Sequence, residues 1–259
     1  MISELRAVAK QAFFDLLKLK KHTKISEKEF SKQWLSRIYS YGSSFDGGWY
    51  VPPPQGCAVL FGHGGDGRRV SFDTLRSNEY WPSDIELDWD DGIVYGYVSP
   101  VGVSDGMMGD FSAFHYFGEN TNISNHILHC REVNNLIISS VECDMTSAEL
   151  FGLAMKIVEK NDLFIYGYSK TDCAGINLGH SFVRLAPLKE HSPNKLSDRQ
   201  VEYLSNSRKF INQFDNWALS EAPCFTIEPR LLRKGRPDLP LVSLHTLARI
   251  NNGNLSIQH

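Results

Sequence analysis

The sequence predicts an α+β protein in which an antiparallel sheet carries its helices on one face. Three observations lead to it. Two amphipathic helices followed by short strands occur twice along the chain; a helix-capping pattern recurs 120 positions apart, at 26 and 146; and the strand-like runs are short, rich in aromatic and β-branched residues, and edged by glycine or proline. At 259 residues, 42% hydrophobic and 12% aromatic, the chain can bury a full core. It fits one domain, 1–259, built of two repeated halves at about 1–122 and 123–259.

The first helix is predicted from about Ser3 to Lys20, where Leu5, Val8, Ala9, Ala12, Phe13, Leu16 and Leu17 share a face. Ser26-Glu27-Lys28-Glu29 then reads as a capping box opening a second helix to about Ser40. A rigid lead through Pro52 to Pro54 runs into a strand at Cys57 to Phe61, and glycines 62, 64, 65 and 67 mark a turn. Val70 to Phe72, Ile93 to Val98 and the run Met107 to Gly118 are the further strands of this half. The second half opens with helical spacing through Ile123, Ile127, Cys130, Asn134, Ile137 and Val141. Thr146 and Glu149 repeat the cap before a helix to about Lys160. The segment from Leu196 to Leu219 reads as loop or a short helix, Ala222 to Leu232 as one strand, and Leu239 to Leu244 and Gly253 to Gln258 as two more.

A formal charge of −3 made of interspersed charges gives no basic field for nucleic acid or anionic lipid. No apolar run approaches the roughly 20 residues needed to cross a bilayer, and Glu4 and Arg6 break up the start, so a cytoplasmic protein is expected. Cys57, Cys130, Cys143, Cys173 and Cys224 show no CxxC spacing and read as buried free thiols.

Chemistry concentrates at three acids and bases on separate strand-like segments: Asp110 after Gly109, His180 after Gly179, and Glu228 in Cys224-Phe225-Thr226-Ile227-Glu228-Pro229. A strand that buries Phe225 and Ile227 avoids an ionised side chain unless water, a cation or a donor meets it. Each also has a structural reading: Asp110 as a turn cap, His180 as a satisfied core histidine, Glu228 as the partner of Arg230 or Arg233. Gly62 to Gly67 lacks the Lys-Ser/Thr end of a phosphate loop and is expected to be a hairpin turn. Trp49, Tyr50, Trp81 and Trp89 either wall a substrate pocket or pack an irregular insert. His126 and His129 are expected to be solvated.

Phe225-Thr226-Ile227-Glu228-Pro229, Gly179-His180-Ser181-Phe182, Gly109-Asp110-Phe111-Ser112 and Cys143-Asp144-Met145-Thr146 fall in the order of the motifs of the pita-bread superfamily. This is the group of methionine aminopeptidases, Xaa-Pro aminopeptidases, prolidases and creatinase, and the chain resembles it over most of its length. The resemblance implies a curved antiparallel sheet with helices on the outer face and two pseudo-symmetric halves, and it brings a homodimer with it. In the family two Asp, one His and two Glu hold two divalent cations. Here the first Asp position falls at Ser99, and the second Glu position falls at about Ile257-Gln258, so an orthodox dinuclear aminopeptidase is not expected. Asp110, His180 and Glu228 are the metal ligands that the resemblance leaves, for one divalent cation (Mn, Fe, Co or Zn), with metal-free chemistry as the other possibility. His180 and Glu228 are the candidate catalytic residues, and Trp81, Tyr97, Ser99 and Arg230 the candidate substrate-binding ones. The function implied is a metallopeptidase-like hydrolase or lyase acting on a small amide, amino-acid derivative or short peptide. The alternative is a catalytically degenerate member that serves as a binding or scaffold module.

Overall fold

The structure, a computed structural model, describes residues 2–40, 45–46, 57–64, 69–71, 74, 81, 83–102, 109–166, 172, 175–183 and 198–258. Trp49, Tyr50, Pro52 to Pro54, glycines 65 and 67, Phe72, Met107 and Cys173 lie outside the described residues. The described residues form two compact units. One is drawn from Met1–Gly64, Arg69–Glu119 and Arg184–Asn206, the other from Asn120–Val183 and Ser207–His259.

In the first unit, α1 (Ile2–Lys20) and α2 (Glu27–Ser40) pack on an antiparallel sheet of β2 (Cys57–His63), β3 (Gly92–Val98) and β5 (Phe111–Tyr116), with β3 in the middle. A separate pair joins β1 (Phe45–Asp46) to β4 (Val101–Gly102). The apolar stripe read from the sequence is the packed one. Leu5, Ala9, Ala12, Phe13 and Leu16 of α1 meet Phe30, Trp34 and Ile38 of α2 over Val59, Phe61 and Val94, all buried. Phe13 and Trp34 pack edge to face with centroids 4.9 Å apart, and Trp34 donates its indole N–H to the Ala9 carbonyl. Burying each such large side chain contributes about 1.5–3 kcal/mol. The fully buried Glu27 accepts from the Phe61 amide at 2.6 Å, from the Ser83 hydroxyl at 2.6 Å and from Arg69, so its charge is compensated inside the fold.

The second unit opens with α3 (Thr121–Ser139) and α4 (Ser147–Lys160). It continues through β6 (Leu163–Ile165) and β7 (Gly179–His180); after α5 (Asp198–Ser207), which belongs mostly to the first unit, come β8 (Phe210–Ile211), β9 (Phe225–Ile227), β10 (Arg230–Arg233), β11 (Val242–Ser243), β12 (Thr246–Asn251) and β13 (Asn254–Gln258). The antiparallel sets are β11-β10-β6, β13-β12-β9 and β7-β8.

The repeat predicted from the caps reappears in backbone hydrogen bonds. In the first unit Glu27 N donates to Ile85 O and Leu87 N to Ile25 O, both at 3.0 Å. In the second, Ser147 N donates to Trp217 O at 2.9 Å and Leu219 N to Met145 O at 3.0 Å. Each second helix is thus anchored at its cap to a later extended segment, through Ser26 with Glu86 and Thr146 with Ala218. The Thr146 box is complete, with Glu149 bonding back to the Thr146 amide. At Ser26 the hydroxyl caps Glu29 N, whereas the Glu29 carboxylate accepts from Gln33.

Four expectations are corrected. The single strand at Ala222 to Leu232 is two strands in two sheets, because Glu228 N donates to Leu178 O and Pro229 has no N–H with which to continue the ladder. Val70 and Ser71 lie in a bend rather than a strand. Thr246–Asn251 is a further strand, joined to β13 by a turn in which Asn252 and Gly253 both have positive φ, 49° and 74°. His126 is buried with Nε2 3.0 Å from Pro240 O, and the half-buried His129 lies 3.0 Å from Asn161 O, so neither histidine is solvated.

Candidate active site

Two clusters contain the site residues read from the sequence, one in each unit. In the first, the β3–β5 register pairs Tyr97 with Ser112 and Val98 with Phe111, and its continuation sets Ser99 opposite Asp110. The Ser99 hydroxyl donates to Asp110 Oδ1, and the Tyr97 hydroxyl donates to Oδ2 at 3.1 Å, with the two hydroxyls 2.7 Å apart. Arg6 of α1, 2% exposed, donates to the Asp110 main-chain carbonyl and lies over the Phe111 ring at 5.5 Å. Burial lowers the Arg6 guanidinium to about 10, against the opposing pull of the Asp110 charge. Both Asp110 oxygens therefore accept hydrogen bonds from hydroxyls, with a guanidinium at hand. Trp81 is fully buried and gives its indole N–H to Val59 O at 2.6 Å, which makes it a core residue of this unit.

The second cluster is built where β7 lies beside β9. Phe182 N donates to Cys224 O at 2.9 Å, His180 N to Thr226 Oγ1 at 3.1 Å and Glu228 N to Leu178 O at 2.7 Å. Only glycine allows this approach at 179, since a Cβ there would lie 2.0 Å from Thr226 O. A buried brace stands behind β7: Asp172 accepts from Asn177 and Asn212, each at 3.0 Å. The His180 ring, buried against Phe182, is held by Nδ1 at 3.0 Å from Ser181 O. A carbonyl only accepts, so Nδ1 carries the proton and Nε2 presents its lone pair. Nε2 lies 3.7 Å from Glu228 Oε1, and Arg230 Nη2 lies 3.9 Å from the same oxygen.

Burial holds the His180 imidazole well below its ordinary value, and the charges of Arg208 and Arg230 push the same way against the Ser181 hydrogen bond. Burial raises Glu228 above the usual carboxylate range, and Arg230 and Arg208 offset part of that rise. Both shifts favour uncharged forms. The buried Cys57 and Cys130 thiols are pushed up by burial as well, Cys130 to about 12, and neither is poised as a nucleophile.

The structure thus brings Tyr97, Ser99 and Asp110 together in one unit and His180, Glu228 and Arg230 together in the other. Two residues escaped the sequence reading. Arg6 is a charge on the apolar stripe of α1, one residue from Leu5, and that misplacement was its signal. Arg208 stands just before the apolar Phe210-Ile211 pair, with its guanidinium over the Phe210 ring at 4.8 Å, and in the sequence it looks like an ordinary solvated cation.

No family model matches the chain, and no curated protein matches it. Solved structures do. The X-Pro aminopeptidase of Thermotoga maritima superposes with a TM-score of 0.65 at 11% identity, over 99% of this chain and 59% of that one. The Pyrococcus furiosus prolidase gives 0.63 at 16%, over 99% and 62%. The methionine aminopeptidase of Rickettsia prowazekii gives 0.61 at 15%, over 98% and 94%. The chain has the pita-bread fold. It spans about three-fifths of the length of the X-Pro aminopeptidase and prolidase chains and nearly all of the methionine aminopeptidase. Among the described residues of this pita-bread chain, no helix is long and apolar enough to cross a membrane.

The donors at the two clusters fit a divalent cation poorly. Asp110 spends both oxygens on hydroxyls, and a cation between His180 and Glu228 would share its surroundings with the guanidinium of Arg230 and the charge of Arg208. Among the described residues, no three His, Cys, Asp or Glu side chains gather as a metal-ligand set.

Proposed function

We propose that this pita-bread chain is an enzyme that hydrolyses a small amide, an amino-acid derivative or a short peptide, using His180 and Glu228 as its acid–base pair. The observation that carries this reading is the 3.7 Å approach of His180 Nε2 to Glu228 Oε1, with the Nδ1 proton fixed on Ser181 O. A neutral imidazole beside a carboxyl whose hold on its proton burial strengthens supplies a base and an acid at once. Water gives its proton to Nε2 as its oxygen adds to the substrate carbonyl. The C–N bond then breaks, and the leaving nitrogen takes its proton from Glu228. Transfer of the Nε2 proton to Glu228 restores the pair, so atoms and charge balance without a further reactant. The peptidase names of the similar structures support the substrate class, and the guanidiniums beside the pair support a reaction without a cation at this point.

The test is hydrolysis of a panel of dipeptides and N-acyl amino acids by the untagged chain, compared with His180→Ala and Glu228→Gln. A fall in kcat of about 10²–10⁴ in both variants is expected. Variants as active as the parent overturn the assignment. Metal content by mass spectrometry is the companion measurement. Stoichiometric Mn, Fe, Co or Zn, lost in both His180→Ala and Glu228→Ala, replaces the acid–base pair with a single-cation centre.

One observation favours the second reading, a binding module without turnover. The Tyr97 and Ser99 hydroxyls and Arg6 tie Asp110 into the fold of the first unit. Ligand binding with no hydrolysis anywhere in the panel selects it.

A further inference from the structure

We infer that Thr226 is a positioning residue for His180: its side-chain hydroxyl stands in for a rung of backbone hydrogen bonding between β7 and β9 and so sets where the imidazole lies. The inference rests on the acid–base reading above, because the position it fixes is that of the proposed base.

Strand register shows the substitution. In an antiparallel pair, the residues that exchange backbone N–H···O bonds recur at every second position. Phe182 N donates to Cys224 O at 2.9 Å and Glu228 N to Leu178 O at 2.7 Å, and stepping two residues inward from either bond sets His180 opposite Thr226. A backbone rung is due there. The Thr226 hydroxyl takes its place, accepting from His180 N at 3.1 Å and donating to His180 O at 3.4 Å. The Thr226 carbonyl, which a regular ladder would offer to His180 N, lies against Gly179 instead, 2.0 Å from where a Cβ of residue 179 would stand.

Chemistry restricts which side chains can do this. A hydroxyl carries one proton and two lone pairs, so a single oxygen can take a hydrogen bond from an amide and give one to a carbonyl. Thr226 is fully buried, and an apolar side chain there would withdraw a partner from both the amide and the carbonyl of His180, where that costs most. On its far edge β9 is itself fixed, because Ile227 pairs with Thr246 and Phe225 with Ala248 of β12. The hydroxyl thus carries the placement of β9 across to His180. The imidazole, tied by Nδ1 to Ser181 O at 3.0 Å, follows its own backbone, and the other end of the same strand pair places Glu228. The 3.7 Å approach of Nε2 to Oε1 is therefore set by the spacing of β7 and β9, and that spacing by Thr226. Displacing a catalytic group by about 1 Å costs on the order of 10²-fold in rate.

The test compares Thr226→Val, which keeps the shape and removes the hydroxyl, with Thr226→Ser, which keeps the hydroxyl and loses only the methyl. In hydrolysis by the full chain, the valine variant is expected to lose about 10–100-fold in kcat with KM within about threefold of the parent, and the serine variant to keep kcat within about threefold. A merely structural role would lower the unfolding midpoint without that split between kcat and KM. The second readout needs no turnover. With isotope-labelled histidine, the His180 ring signals, assigned by their loss in His180→Ala, are expected to keep the parent pattern in Thr226→Ser and to move in Thr226→Val. If Thr226→Val fails to fold, Thr226→Ala carries the comparison, since it removes the hydroxyl and adds no bulk. A folded valine or alanine variant with parental kcat and parental ring signals, or a fall in kcat that serine does not recover, overturns the role of Thr226. Ring signals that move in valine and not in serine, with no hydrolysis by the parent anywhere in the panel, overturn the acid–base reading and keep the positioning role. Hydrolysis that needs His180 and Glu228 but is indifferent to Thr226→Val does the reverse.

Discussion

A hydroxyl stands where the resemblance would place a carboxylate, and it changes what Asp110 does. Two carboxylates facing one another repel unless cations lie between them, whereas a Ser99 O–H and a Tyr97 O–H satisfy the single acid directly. The arrangement is local and buried, so its loss should appear in stability. Tyr97→Phe and Ser99→Ala are each expected to destabilise the fold by about 1–3 kcal/mol, the range for stripping a partner from a buried charged acceptor, as measured by urea unfolding. A neutral result for both would mean that Asp110 finds its support elsewhere. Ser99 and Asp110 were marked out in the sequence, yet the bond between them was not, because nothing in linear order says that residue 99 lies opposite residue 110. The β3–β5 register says it. Arg6 was legible only as an anomaly, a charge on an apolar stripe whose partner lies 104 positions away.

At the scale of elements, local patterns travelled well where the physics is local. Helical periodicity and caps marked α1 through α4 to within a few residues, because the spacing of apolar side chains and the capping hydroxyls act over a turn. The β12–β13 hairpin was missed although Asn252-Gly253 is a strong short-range turn signal. Gly253 has φ +74° with open space around it, so a side chain there meets backbone strain and no collision. Gly253→Ala is therefore expected to cost about 1–2 kcal/mol, read as a lowered unfolding midpoint, while Gly253→Asn should be better tolerated. If the alanine variant unfolds like the parent, the turn does not direct this hairpin. The break at Glu228-Pro229 was also illegible as a break. An apolar run reads on through proline, and only the hydrogen bond from Glu228 N to Leu178 O shows where the chain changes sheets and why the carboxylate faces His180.

For the molecule as a whole, the buried pair makes stability depend on pH in two opposing ways. The imidazole of His180, with Glu228, Arg208 and Arg230 around it, stays neutral in the native state, while in the unfolded chain it takes a proton as pH falls through 6.5. The unfolded state then binds more protons, so this term is present above that value and is lost as pH drops. Glu228 works in the other direction. Its native value lies above 4.5, so the native state keeps a proton that the unfolded chain releases, and stability from this group declines as pH rises through that region. Urea melts should accordingly show His180→Asn flattening the loss between about pH 7 and about pH 5, and Glu228→Gln removing the decline above the ordinary carboxylate range. Parallel profiles for parent and variants would mean that neither group is shifted by the fold.

The sequence by itself determined the helices, the repeat and the order of the three chemical side chains, since periodicity, capping and motif order are written in neighbouring residues. Tertiary structure alone decided their distant company: hydroxyls of Tyr97 and Ser99 on Asp110, and the imidazole of His180 and the charge of Arg208 beside Glu228. The reason is physical. A burial or charge effect depends on distance through space, and strand register and sheet exchange set that distance between residues that the chain keeps tens of positions apart.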